Sequence, residues 1–186
     1  MILSHILSIL DARSFAQPWF WLVMVGLWTW AGRGVLGVPN DVLAEAGQAL
    51  RRGETGGAVL LLDWLSLQLP RWRLGPVVGA VMTALITCLL SVLAILGFRW
   101  QFEMAQALTL LGVPFAVLLV LKLRLAGQLD AVIEAARLGR PAPDAAAEAM
   151  ARINRYRFHH TVISLLAVTV TAFWAARWIA LHPFGV

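Results

Sequence analysis

The sequence predicts an all-α integral membrane fold. Its form is a four-helix bundle with an extended cytoplasmic helical hairpin between the third and fourth helices and one or two interfacial amphipathic helices. Three observations predict it. Of 186 residues, 60% are hydrophobic and only 13% charged, with a mean hydropathy of +0.78, whereas a soluble domain carries about a quarter charged residues. Four apolar stretches, at about 18–36, 76–98, 102–121 and 161–181, each approach or reach the roughly 20 residues that cross a hydrocarbon core as a helix. Finally, Lys and Arg crowd alternate connections, the signature of positive-inside topology.

The first ten residues, "MILSHILSIL", set Ile2, Leu3, Ile6, Leu7 and Leu10 against Ser4, Ser8 and Asp11. That pattern is expected to form an amphipathic helix over 2–11 lying in the interface. With no early Lys or Arg and no small-residue cleavage site, the segment reads as retained rather than removed. The first span opens at Pro18 and carries Trp19 and Trp21 near one end and Trp28 and Trp30 near the other, the spacing of aromatic belts. The segment "AVLLLDWLSLQLP" is shorter, interrupted by Asp63, Ser66 and Gln68, and holds Trp64. A second interfacial helix over 58–69 is the expectation there, not a fifth span.

The second span offers only Thr83, Thr87, Cys88 and Ser91 as polar or thiol groups. Such residues usually serve helix packing, and a single cysteine can neither form an internal disulfide nor supply a thiolate cluster. The third span continues into "LRLAGQLDAVIEAARLG", which keeps the helical pattern until "RPAP" breaks it. Asp144 is then placed to cap "AAAEAMARINRYRF", which runs into the fourth span without another breaker. The expected hairpin covers 122–160, and the four-residue spacing of Glu148 and Arg152 suits an ion pair on its exposed side.

With four spans, 12 of the 15 basic residues fall on one face: Arg33, Arg51, Arg52, Arg71, Arg73, Lys122, Arg124, Arg137, Arg140, Arg152, Arg155 and Arg157. The other face holds 3, namely Arg13, Arg99 and Arg177. The asymmetry places 37–75 and 122–160 in the cytoplasm and both termini in the periplasm of a bacterial inner membrane. It also explains the net charge of +5 without a nucleic-acid partner, because the basic residues flank apolar spans rather than a solvated domain.

Two groups of residues stand out. The stretch "RINRYRFHHT" gathers Arg152, Arg155, Arg157, His159 and His160 at the foot of the fourth span. Adjacent histidines on a helix point about 100° apart and cannot be opposite axial ligands of one haem. No Cys, Asp or Glu stands beside them at metal-ligand spacing, so the group reads as an anchor for lipid phosphates or a protein partner. Glu103 and Arg177 lie on the opposite side, near the ends of the third and fourth spans, placed to pair within the membrane. No P-loop, nucleophile elbow, HExxH or paired-carboxylate arrangement occurs. No catalytic, cofactor or metal residues are therefore expected.

Three stretches carry a family resemblance: "DARSFAQPWFWLVMVGLWTWAGRGVLGVP" (11–39), "LGFRWQFEMAQALTLLGVPFAVLLVLKLRLA" (96–126) and "RINRYRFHHTVISLLAVTVTAFWAARW" (152–178). In order and spacing this set, about half of the chain, resembles a family of small bacterial inner-membrane proteins catalogued as "component of the Suf complex". The label points to iron–sulfur cluster assembly. The resemblance implies a non-enzymatic membrane protein acting as an accessory, docking or assembly factor, with a partner at the cytoplasmic hairpin. It brings no ligand or catalytic residues, and it implies that His159 and His160 are dispensable, since other residue types stand at those positions. The alternative from the residues alone is a small oligomeric transporter working through Thr83, Thr87, Ser91 and the Glu103/Arg177 pair, with a haem- or quinone-linked redox protein third.

Overall fold

The computed structural model describes residues 15–181, so the helix expected over 2–11 lies outside the described residues. The described chain is mostly helical, and three of its helices are long and apolar enough to cross a membrane. It divides into two compact units. The first holds described residues 15–30, 76–117 and 162–181, and the second holds Ala31–Gly75 with Leu118–Thr161.

Helix α1 spans Pro18–Gly32, starting on a proline whose missing N–H is harmless in the first turn. Its 15 residues rise about 22 Å, shorter than the apolar stretch 18–36 suggests. The remainder of that stretch turns back as a hairpin of β1, Gly34–Val35, with β2, Val38–Pro39. Its two turn residues, Leu36 (φ 55°) and Gly37 (φ 86°), both have positive φ, the handedness that matches strand twist in tight hairpins. Leucine rarely adopts that conformation. Here its side chain is 1% exposed, and its burial offsets the backbone strain.

Pro39 ends the hairpin and α2, Asn40–Arg52, follows with Asp41 in its first turn and Arg51 and Arg52 in its last. Both ends thus complement the helix dipole. Gly53 (φ 73°) closes it: its N–H donates to the Leu50 carbonyl and that of Glu54 to the Ala49 carbonyl, the two bonds of a Schellman turn. Helix α3, Thr55–Gln68, then packs back on α2. A Cβ on Gly57 would lie 2.4 Å from the Ala49 Cβ, so glycine permits the approach. A 3-10 turn, Leu69–Trp72, leads out of α3.

Helix α4, Pro76–Ala94, buries none of its residues and runs into a π-helical turn, Ile95–Arg99. Helix α5, Glu103–Arg137, is 35 residues long and includes Pro114. It ends in a second Schellman turn, with Gly139 (φ 102°) donating to the Ala136 carbonyl and Arg140 to the Ala135 carbonyl. Helix α6, Ala142–Leu181, is 40 residues long. It starts two residues before Asp144, which sits in its first turn, while the Pro141 carbonyl accepts from the Asp144 and Ala145 N–H groups. Proline at Ala142's flank supplies the start, and Asp144 acts on the dipole rather than as the cap expected of it.

The main hydrophobic core lies in the second unit. Leu43 and Ala46 of α2, Ala58, Leu61 and Leu65 of α3, Leu69 of the 3-10 turn, Leu129 and Val132 of α5, and Ala145, Ala149 and Ile153 of α6 meet there. Alanine at so many contact points lets helix backbones approach closely. The arms of the hairpin expected over 122–160 pack in this core against α2 and α3. Arg73 adds an ion pair to Asp130 of α5, and the Lys122 ammonium lies 5.9 Å from the Trp72 ring centroid. Segment 58–69, expected in the interface, turns Ala58, Leu61, Leu65 and Leu69 into this core, while Val59, Leu60 and Leu67 on its outer side stay exposed.

The first unit is organised differently. Its small core joins Phe15, Ala107 and Ala175, and large apolar side chains of α4, α5 and α6 such as Leu85, Leu89, Val113, Leu165 and Phe173 are exposed. Water would penalise such a surface heavily, whereas lipid chains solvate it. Backbone groups are satisfied inside each helix, as hydrocarbon requires.

Candidate functional site, a basic cleft between two long helices

On α5, Leu121, Arg124, Leu125 and Gln128 recur at the three- and four-residue spacing of one helix face. On α6, Arg152, Arg155, Tyr156 and His159 repeat that spacing. The two faces meet around a cavity of about 200 Å³ lined by those eight residues. Its leucines lie on the α5 side, and its arginines come from both helices.

The guanidinium groups are not equivalent. Arg152 donates through Nη1 to the Gln128 carbonyl at 2.8 Å and through Nη2 to the Glu148 carboxylate, which also accepts from Arg140. The expected Glu148–Arg152 pair is thus one half of a three-membered bridge that ties the start of α6 to the turn before it. Hydrogen bonding to Arg140, and then to Arg152, holds the Glu148 carboxyl below its ordinary range, and the Asp130 carboxylate likewise raises Arg73 above its usual value. Arg124 and Arg155 are exposed and have no ion-pair partner among the described residues. His159 Nδ1 lies 2.7 Å from the Arg155 carbonyl; a carbonyl only accepts, so Nδ1 carries the hydrogen and Nε2 is left to the cleft. Tyr156 is 6% exposed, and its buried hydroxyl has no hydrogen-bond partner among the described residues.

Tyr156 is also a wall of a second cavity, of about 190 Å³, lined further by Gly32, Gly34, Val35, Arg157, His160 and Thr161. The five residues singled out as an anchor therefore divide. Arg152, Arg155 and His159 serve the first cavity, and Arg157 and His160 the second. A Cβ on Gly32 would lie 3.7 Å from His160 Cε1, so that ring occupies the end of α1 while its neighbour faces α5. Among the described residues no group of three or more His, Cys, Asp or Glu side chains converges as a metal site would require.

Glu103 and Arg177, expected to pair, take other partners. The Glu103 carboxylate accepts from the Phe15 N–H and from Trp178 Nε1 at 3.1 Å, and the Arg177 guanidinium lies 5.8 Å from the Trp174 ring centroid. No ion pair joins Glu103 to Arg177 among the described residues. The physical reason is that an indole N–H and the Phe15 backbone amide in apolar surroundings need an acceptor more than an arginine near the helix end needs a carboxylate. Gln106 completes this knot, donating to the Gly97 carbonyl at 2.8 Å and accepting from Trp174 Nε1 at 2.8 Å. It binds the segment before α1, the end of α4, the start of α5 and the end of α6 together. Its chemistry is structural, since every polar atom named is engaged by another part of the chain.

Sequence reasoning found the arginines of α6 but missed Arg124, Gln128 and Tyr156. The signal was present in the repeat 121, 124, 125, 128 facing 152, 155, 156, 159, legible once α5 and α6 are paired as an antiparallel hairpin. No family model matches the chain, and neither a curated protein nor a solved structure matches it.

Proposed function

We propose that this chain is a polytopic inner-membrane protein without chemistry of its own, whose second unit is a cytoplasmic docking platform for a protein with an acidic surface. In this reading four segments cross the membrane: α1, α4 with its π-helical turn, the first part of α5 and the last part of α6. Both termini are periplasmic in this reading, which the 12-to-3 distribution of basic residues supports. The outer side of α3, with Val59, Leu60 and Leu67 exposed, rests in the headgroup region beside Trp64.

The observation that carries the reading is the second unit itself. It has a closed core, yet Arg33, Arg51, Arg71, Arg124, Arg155 and Arg157 stand exposed on it without ion pairs among the described residues. Topology explains the presence of positive charge there, but a folded domain goes beyond what topology needs. The partner class named by the resemblance in sequence is an iron–sulfur cluster assembly machine, and the docking reading extends to it. The transport alternative rests on Thr83, Thr87, Ser91 and the Glu103/Arg177 pair, and of these Glu103 and Arg177 are engaged in other contacts within the first unit.

The test is capture of partners by the intact chain in mild detergent at low and high salt, beside a variant with Arg51→Glu, Arg71→Glu and Arg157→Glu. Docking predicts a partner, iron–sulfur assembly proteins among the candidates, that salt and the charge reversal both release. A partner list indifferent to both would sink the reading.

A further inference from the structure

The cleft between α5 and α6 combines features that a merely solvated basic face does not need. It is concave, two of its arginines are left over after internal pairing, and a tyrosine hydroxyl is buried beside it without a partner. A buried hydroxyl without a hydrogen bond is costly. An anion seated in the cleft would relieve that cost and the mutual repulsion of the guanidinium groups together. Planar guanidinium forks match the oxygens of phosphate, and Arg152 is already positioned by the Gln128 carbonyl and Glu148. The surplus charge on Arg124 and Arg155 equals two, enough for a phosphate monoester and more than enough for a diester.

The cavity volume, about 200 Å³, is below the roughly 300–1,000 Å³ of pockets for drug-sized ligands, which suits a headgroup better than a nucleotide. Its apolar lining is Leu121 and Leu125, and Leu121 is the last residue of the third apolar stretch. The cleft thus opens where α5 passes from apolar to charged sequence.

We infer that this cleft is a phosphate-binding site, in which Arg124, Arg152, Arg155 and the Tyr156 hydroxyl hold a phosphate ester, and that the ester is the headgroup of an anionic phospholipid. The phosphate chemistry stands on the cleft alone, and the lipid source rests on the membrane placement proposed above. The site needs no protein partner, so it survives failure of the docking reading.

The test uses the full chain, purified in a non-ionic detergent and also placed in nanodiscs of phosphatidylcholine alone or mixed equally with phosphatidylglycerol. Retained lipid is counted by native mass spectrometry, and inorganic phosphate and glycerol phosphate are titrated by thermal shift. One variant combines Arg124→Gln with Arg155→Gln; another is Tyr156→Phe; a charge-matched control combines Arg51→Gln with Arg71→Gln. Because Arg124 and Arg155 are exposed and unpaired among the described residues, the first variant should fold, and unfolding in phosphate-free detergent checks this. Phosphatidylglycerol retention should fall at least about tenfold in the cleft variant, the scale of one lost charge-assisted contact, and by a smaller factor in Tyr156→Phe. The control should match the unaltered chain. Lipid retention without stabilisation by the soluble phosphates assigns the headgroup; stabilisation by soluble phosphates without lipid selectivity keeps the phosphate site and overturns the lipid source. Equal losses in the control and cleft variants, or no binding of either probe by the unaltered chain, would overturn the site.

Discussion

Glu148 ties two arginines of the second unit together, because its carboxylate holds Arg140 and Arg152 at once. Its folded pKa is depressed below the ordinary 4.5. Such a group contributes stability that is fully present above the unfolded value and is lost as pH falls through the lower folded value. Thermal unfolding in detergent should therefore show an acid limb below about pH 4.5 that Glu148→Gln flattens, with a lower midpoint for the variant at neutral pH. The effect should be small, since the pair is partly exposed and screened. An acid limb unaltered by the substitution would remove Glu148 from that role. Gly97 poses a steric rather than an electrostatic constraint. A Cβ there would lie 2.7 Å from the Gln106 backbone nitrogen and 3.0 Å from the Ala105 carbonyl carbon, so α4 and α5 must separate. Gly97→Ala should cost about 1–3 kcal/mol, as overpacking does, and should weaken the Gln106 bond to the Gly97 carbonyl. Unfolding midpoints read the first effect, and Trp174 emission the second.

At the scale of elements, α3 has two unlike sides that its composition conceals. Leucines occur all round it, so periodicity alone does not single out a buried face. The structure does, with Leu65 1% and Leu67 72% exposed. Leu65→Ala should lose about 2–5 kcal/mol of stability by cavity formation, while Leu67→Ala in detergent should stay within about 0.5 kcal/mol. Equal losses would mean that α3 is not held by its inner side. The same helix marks a limit of sequence reading. The stretch 58–69 was legible as a helix too short and too polar to span, and its Trp64 suggested the interface, but besides α2 its core partners lie more than 50 residues away in α5 and α6. Helix α2 was not foreseen, because its alanines and charges form no long apolar run. The long helices were legible throughout, since "RPAP" is the only break between Glu103 and Leu181. At 18–36, composition continued past the true end of α1, because Val35 and Leu36 are as apolar as a span residue although they serve the β-hairpin and the core.

For the whole molecule, orientation is the proposal most open to direct measurement. Leu138 is 81% exposed at the turn between α5 and α6, and Cys88 is the single native cysteine. With Cys88→Ser as background, Leu138→Cys in intact cells should react with a membrane-permeant maleimide and resist an impermeant one. Reaction with the impermeant reagent would place the second unit, and the phosphate cleft with it, on the other side of the membrane.

The sequence by itself determined the helical, membrane-suited character of this protein, the break between its two longest helices and the gathering of arginines beside its apolar runs. These are local properties: hydropathy over one span, a proline, a charge beside a helix. Only the tertiary structure decided that 31–75 and 118–161 share a core, that Glu103 serves Trp178 and the Phe15 amide rather than Arg177, and that Arg124 and Tyr156 belong with Arg152 and Arg155. Those outcomes depend on which helix faces meet. Competition among several donors for one buried acceptor, and among several apolar faces for one core, is resolved in space, and the order of residues alone does not settle it.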